Sequence, residues 1–417
     1  MEAPRFRPRP ERVWSSPVRG ARFTAVLGIV LLGGITLLFV TGLLSYAAYN
    51  PNLSSVNDKT PDKGLLGFYL FDWPTDPPWL YRLTQGLHVT VGIALIPVLL
   101  AKLWSVIPKL FALPPARSVG HALERVSLLL LVGGGLFEFV TGVLNVQLEY
   151  VFPGSFYPLH FYGAWVFFAA FLAHVGLRLP QALRVLRARG ESGGRAEPDA
   201  LAAPEPAPAT VSRRGALALV GGGSLLLAAT TAGQSFDGPL RRTALFAPHG
   251  GADPGRGPNG FQINKTAAAV GVGARDTGDG WRLVVGGGPA GETRLSRQQL
   301  LQLAQYSAAL PIACVEGWST SDQWWRGVRL RDLAALAGFD PDRPPGVLVE
   351  SLQVRGAFRR AALRDNQVRD PRSLLALQVN GEDLSPDHGY PARVIVPAAP
   401  GVLNTKWVAR LTFGELR

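Results

Sequence analysis

The first half of the chain is dominated by long apolar runs with almost no charge inside them. Four of these, from about Phe23 to Tyr49, Leu83 to Ile107, Ala122 to Val146 and Tyr157 to Leu179, are long enough to cross a bilayer as helices, which takes about 20 residues each. A fifth, Ala216 to Gly233, is shorter and rich in Gly and Ala. From about Phe246 the period changes. "WRLVVGG", "GVLVESLQV", "LLALQVNGEDL" and "ARVIVPAA" read as strands between Gly/Pro turns, and "SRQQLLQLAQ" and "LRDLAALAGF" as short helices. "ESGGRAEPDALAAPEPAPAT" reads as a disordered linker. The pattern predicts a four-helix membrane domain over 1–180, a linker over 181–212, a further anchor over 213–235 and a mixed α+β domain over 236–417.

Charge orients this arrangement. Of 417 residues 47% are hydrophobic and 17% charged, and the net charge is +12. The basic residues lie between the apolar runs rather than on a soluble face, which argues for membrane orientation and against nucleic acid. Arg5, Arg7, Arg9, Arg12, Arg19 and Arg22 precede span one. Lys102, Lys109, Arg117 and Arg125 lie between spans two and three, and a further arginine series follows span four. The positive-inside rule places the N-terminus and linker in the cytoplasm and everything after about Gly233 outside. Trp73, Trp79 and Tyr81 fit an outer aromatic belt. Arg213 and Arg214 before a weakly apolar stretch look like a twin-arginine export signal, which implies the export machinery as a partner.

Four of six histidines, His88, His121, His160 and His174, lie in or beside the spans. Ionisable groups there are expensive and usually functional. His160 and His174, 14 residues apart, share one helix face about 21 Å apart along the axis. That suits two stacked b-type haems, with His88 close in depth to His160 and bis-histidine ligation by that pair. "FVTG" occurs at 39–42 and again at 139–142, an echo consistent with an old two-helix duplication. Glu138 is expected to face the bundle, hydrogen-bonded or in proton transfer. This half resembles the bacterial cytochrome b561 and formate dehydrogenase gamma-subunit group over about 160 residues. In that group span one carries an inner histidine; here Ala25 stands near its place, so a second haem would need His121 as partner for His174.

The chain has one cysteine, Cys314, in "PIACVEGWST". A lone exported thiol is exposed to oxidation, so it tends to be lost or used. "ACVEGWS" together with "NGE…HGYPARV…KWV" resembles the sulfite oxidase-type molybdopterin enzymes, particularly the branch with the bacterial methionine sulfoxide reductase catalytic subunit, over about 155 residues. The resemblance implies that Cys314 ligates molybdenum, where a soft thiolate suits a metal held by a dithiolene. It also implies that Asn264, Lys265, Thr266, His388, Arg393 and Lys406 contact the anionic pterin. Trp318, Trp324 and Trp325 are expected in the core or pocket wall. Asp322 is expected at the substrate entrance, and His249 near the surface.

Together these readings describe an electron-transfer fusion in a bacterial cell membrane: a multi-pass helical cytochrome b domain with one or two b haems, and an outer-face molybdopterin domain. It would exchange electrons with quinone or quinol and reduce an S- or N-oxide. Two other readings stand beside it. One is a sulfite oxidase running the other way, with Arg326, Arg355, Arg359 and Arg360 as candidate anion ligands. The other is a non-catalytic membrane-anchored interaction module.

Overall fold

A computed structural model describes residues 16–53 except 17, 56–57, 71–110, 118–146, 156–187, 211–245 except 237, and 258–416. The arginines before Ser16, residues 188–210 of the linker and His249 lie outside these, as does the side chain of His121. Five helices are long and apolar enough to cross a membrane. They are α1 (Ala21–Ala48), α2 (Leu80–Leu110), α3 (Val119–Asn145), α4 (Tyr157–Arg187) and α5 (Arg213–Ala232). Helix α4 continues eight residues beyond the expected Leu179, through Pro180.

The chain divides into two compact units. One gathers residues from 1–40, 90–145 and 152–228, the other residues from 41–89, 146–151 and 229–417. In the first, Phe23, Leu27, Leu31 and Ile35 form an i, i+4 stripe on α1 that packs with Leu95, Val98 and Leu99 of α2 and Phe167 and Phe171 of α4. Gly134 and Gly135 bring α3 close to α4: a Cβ on either would stand 3.2 or 3.3 Å from the Phe167 side chain. The opposite faces stay apolar and outward, with Leu129 67% and Leu177 73% exposed. Helices apolar on their inner and outer faces alike are compatible with a bilayer.

The second unit holds two sheets. The first runs β2 (Thr293–Leu295), β1 (Leu283–Gly286), β10 (Val408–Phe413), β5 (Val347–Ser351), β6 (Arg360–Leu363), with β1 and β10 parallel. The second runs β3 (Tyr306–Leu310), β4 (Gln323–Arg329), β7 (Leu374–Val379), β8 (Glu382–Asp383), and β9 (Arg393–Ile395) also pairs with β7. Strand β4 shows the alternation that builds a one-sided sheet: Gln323 and Trp325 are buried, Trp324 and Arg326 exposed. Short helices close the layers: α6 (Ala267–Val270), α7 (Ala274–Thr277), α8 (Arg297–Gln302), α9 (Leu330–Leu336) and α10 (Asp365–Arg369). Ser296 starts α8 with a capping box to Gln299. The main core lies between the β1–β10–β5 sheet and α9, around Leu283, Val285, Leu333, Val349 and Leu411.

The C-terminal end of α1 and the N-terminal end of α2 belong to this second unit. Ala47, Ala48, Tyr49, Trp73 and Tyr81 form one buried cluster with Ala313. Trp73, expected in a lipid-facing belt, is instead 1% exposed and donates its indole N–H to Ala398 O at 2.7 Å. Tyr81 is likewise buried, while Trp79 is 46% exposed. An indole whose N–H finds a protein carbonyl gains more from burial than from the interface.

Candidate active site

Residues 311–322, between β3 and β4, fold back on themselves. Cys314 N donates to Trp318 O at 2.8 Å, Gly317 N to Cys314 O at 3.1 Å, and Thr320 N to Ile312 O at 2.9 Å. Gly317 takes the turn with φ +91, where a side chain is strained. Gly401 N holds the loop from the other side through Ala313 O at 2.7 Å. Cys314 ends up 7% exposed, its thiol 3.6 Å from Glu316 Oε2, which also accepts the Trp318 indole N–H at 2.8 Å. Burial first, then the Glu316 carboxylate, push the Cys314 thiol well above the usual range. The thiol therefore keeps its proton in this setting.

Facing this loop is a cradle made from three distant stretches. Lys406 Nζ donates to Lys265 O and Asp387 O, both at 2.8 Å. Arg393 Nη1 donates to His388 O at 3.3 Å. His388 stacks on Phe261 with ring centroids 3.7 Å apart and donates from Nε2 to Gln262 O at 3.2 Å. Gly389, with φ +112, makes the crossing possible: a Cβ there would stand 3.0 Å from Lys406 Cβ and 3.3 Å from Arg393 Cβ. Cys314 and Glu316 are close enough to Lys265 to act on its charge, and Cys314 also acts on Lys406.

The cradle is electrostatically unfinished. Burial lowers Arg393 to about 9. Burial, then Arg393, holds Lys406 well below the usual lysine range. Burial, then Arg393, lowers His388 to about 3, so its ring is neutral at pH 7. Among the described residues, buried Arg393 Nε, both amide atoms of Gln262, Asn404 Nδ2 and Thr405 Oγ1 find no hydrogen-bond partner. Buried cations beside orphaned donors and acceptors are costly on their own and fit an anionic ligand rich in heteroatoms. A molybdopterin, with its phosphate and pterin edge, meets that description.

The expected site residues distribute as follows. Cys314, Lys265, His388, Arg393 and Lys406 come together. Thr266 caps α6 through Ala269 N at 3.2 Å, while Asn264 is exposed. Asp322 is exposed just before β4, and Trp324 is 56% exposed against 0% for Trp325. Arg326 lies on β4 of the second sheet, whereas Arg360 lies on β6 of the first and Arg355 and Arg359 in the segment before it; all four are exposed. Gln262 and Glu316 carry polar atoms of the site but were not expected. Glu316 stood in the cysteine motif itself; for Gln262 the sequence offers no local signal.

The helices hold two further polar sites. Thr41 Oγ1 lies 3.0 Å from His88 Nδ1, and a Cβ on Gly42 would stand 3.3 Å from His88 Cε1. Thr141 Oγ1 lies 2.9 Å from His160 Nδ1, and a Cβ on Gly142 would stand 3.3 Å from His160 Cε1. Thr141 donates its own proton to Phe137 O at 2.7 Å, so it accepts from His160 Nδ1. That tautomer carries the ring lone pair on Nε2, the form that binds a metal. Glu138 Oε2 approaches His160 Nδ1 at 3.2 Å. His174 lies in the same helix as His160, half-buried.

Residues 270–416 match the family model described as oxidoreductase molybdopterin binding domain. The chain is 32% identical over 158 residues to human mitochondrial sulfite oxidase, covering 32% of this chain and 29% of that protein. It is 32% identical over 133 residues to an uncharacterised oxidoreductase, YuiH, of Bacillus subtilis strain 168, covering 32% of this chain and 65% of that one. It thus spans less than two thirds of the length of either relative. Among solved structures, the sulfane dehydrogenase SoxCD from Paracoccus pantotrophus aligns at 24% identity and a TM-score of 0.29, over 32% of this chain and 38% of that one. The C-terminal part of the chain is an oxidoreductase molybdopterin-binding domain, similar to that of the sulfite oxidases.

Proposed function

We propose that the chain is a membrane-anchored molybdenum oxidoreductase that exchanges electrons between quinone or quinol and an oxidised sulfur or nitrogen compound on the outer face of a bacterial membrane. The observation that carries this reading is the cradle: a buried thiol faces buried Lys406 and Arg393 and a set of orphaned polar atoms. A bound molybdopterin supplies two-electron oxygen-atom transfer chemistry. The chain's own residues do the holding. Cys314 provides the thiolate, and Arg393, Lys406 and Lys265 neutralise the pterin phosphate and dithiolene. The main chain at His388 and Gln262 fixes the cradle's walls. Neutral His388 works as a rigid stacked spacer between Phe261 and Gln262 O. Glu316, bonded to the thiol and to Trp318, orients the cysteine loop.

The helices supply the electron route in this reading. His88 and His160 hold a b-type haem, a one-electron carrier, through Nε2, and the two Thr hydroxyls fix their tautomers. His174 with His121 is the candidate second pair. In this reading the domains keep the boundaries expected from the sequence, helical cytochrome domain 1–180, linker 181–212 with its first seven residues carried in α4, twin-arginine anchor 213–235 and molybdopterin domain 236–417. Oxidation of sulfite with electrons passed to quinone is the second reading, favoured by the sulfite oxidase relatives.

The test is elemental analysis of detergent-purified protein from a host that makes molybdopterin, followed by turnover. About one Mo and one Fe per chain with methionine sulfoxide reduction supports the proposal. Sulfite oxidation alone selects the second reading. Iron without molybdenum, with a control molybdoenzyme loaded, overturns the assignment of the cradle.

A further inference from the structure

The cysteine loop rests on the helix that carries His88. Tyr81, Gln85 and Val89 lie at i, i+4 and i+8 on α2, so they form one stripe, and His88 falls beside it at i+7. All three stripe residues meet the loop. Tyr81 shares one buried cluster with Ala313, against which Val315 packs. Gln85 Nε2 donates to Val315 O at 2.5 Å. Val89 fills the space over Gly317, where a Cβ would stand 2.7 Å from Val89 Cβ. The loop is held from a second side by the turn after α5. Ser319 N donates to Gln234 O at 2.7 Å, Ser319 Oγ to Ser235 O at 2.6 Å, and Ser235 Oγ to Gly317 O.

Gln85 differs from the other contacts in what it joins. Its side chain is 8% exposed, and its Oε1 has no partner among the described residues. A buried amide kept for one bond is specific to that bond. Val315 is covalently next to Cys314, and Gln85 is one helix turn before His88. From the thiol to the imidazole the route runs along covalent bonds and crosses a single hydrogen bond.

We infer that Gln85 is a positioning residue that couples the molybdenum ligand Cys314 to the haem ligand His88, an inference that rests on the proposed haem and molybdopterin. Each passage moves one electron: the haem iron is oxidised by one level as the molybdenum is reduced by one. Two passages balance the two-electron removal of an oxygen atom from an S-oxide, which takes two protons and releases water.

The test uses the full chain in detergent with Gln85→Leu, and Ser235→Ala as a control that removes a different bond to the same loop, outside the Val315–Gln85–His88 route. Each protein is assayed for Fe and Mo, for the haem midpoint potential, and for methionine sulfoxide turnover driven by reduced viologen dye, which bypasses the haem. The haem is then reduced anaerobically, and its reoxidation on adding methionine sulfoxide is followed by stopped flow. In Gln85→Leu the metals, potential and dye-driven turnover are expected to stay near wild type. Haem reoxidation is expected to slow at least about tenfold, since misplacements near 1 Å can cost ~100-fold. Ser235→Ala is expected to reoxidise at the wild-type rate. Unchanged reoxidation in Gln85→Leu overturns the inference, as does equal slowing in Ser235→Ala, which would make the effect general loosening of the loop. Wild-type protein without iron or without molybdenum overturns the reading beneath it instead.

Discussion

The two Phe-Val-Thr-Gly segments can be laid over each other residue by residue. At 39–42 and at 139–142 the Thr hydroxyl meets a histidine Nδ1, at 3.0 and 2.9 Å, and the Gly leaves the same 3.3 Å gap to Cε1. The residue before each segment differs: Leu38 in the first, Glu138 in the second. Glu138 Oε2 reaches His160 Nδ1 at 3.2 Å, and Gly163 opens the space for it. One pattern therefore builds two seats for an imidazole, and one substitution gives one seat a carboxylate. His388 makes a third, contrasting case. Both nitrogens are engaged by its own chain: Nε2 donates to Gln262 O at 3.2 Å, and Nδ1 accepts from Ser385 Oγ at 3.2 Å. A histidine tied at both nitrogens is a structural spacer; a histidine oriented through Nδ1 is prepared for a metal.

The sharpest way to break the comparison is to remove a seat's occupant. His88→Leu or His160→Leu is expected to abolish the haem spectrum and the iron while leaving molybdenum bound. Persistence of a six-coordinate haem in either variant would refute the paired-seat reading. Crowding the seats comes next. Gly42→Val and Gly142→Val push a methyl into the 3.3 Å gap and are expected to lower haem occupancy about tenfold, equally at the two positions. Unequal losses would show that the seats are not equivalent.

The spacer role of His388 is read from pH. Its folded-state value lies near 3 against 6.5 for a free imidazole, so the folded protein binds fewer protons than the unfolded one. Its stabilising contribution is complete above 6.5 and is lost as pH falls towards 3, by about 1.4 kcal/mol per pH unit. In molybdenum-free protein, His388→Gln should remove that part of the acid slope in melting curves recorded from pH 7 to 4. An unchanged slope would argue against a buried neutral ring. The smallest expected effect is the most specific. Glu138→Gln makes the second seat resemble the first, and the haem midpoint should rise by roughly 60 mV, a tenfold change in a one-electron equilibrium. The corresponding change Leu38→Gln, which removes no carboxylate, should not raise it.

Much of this was legible from the sequence because the physics is local. Twenty apolar residues in a row make a spanning helix regardless of neighbours, and all five helices appear within a few residues of expectation at most ends. The cysteine loop was legible because its Gly and Trp sit beside Cys314. Strands β1, β5, β7 and β9 announced themselves as short apolar runs between turns. Strand β10 did not stand out, although it is the middle of the first sheet, because its partners β1 and β5 lie far back in the chain. The repeated tetrapeptide was visible, but its use was not: Thr41 finds His88 only once α1 and α2 pack. Trp73 was misplaced for the same reason, since its partner Ala398 is 325 positions away. The cradle's three cations, Lys265, Arg393 and Lys406, could be named, yet their orphaned neighbours Gln262, Asn404 and Thr405 emerge only when three stretches meet.

The turn after α5 has a consequence for how the protein is made. Gln234 and Ser235 are 1% and 0% exposed and bond directly to the cysteine loop. An export leader is ordinarily disposable, trimmed by a peptidase once its passenger has crossed. Here the residues following the leader-like helix are part of the passenger's interior. If the helix acts as an export leader, cutting there would open the cysteine loop on one side, and in that reading the helix is retained as a tether.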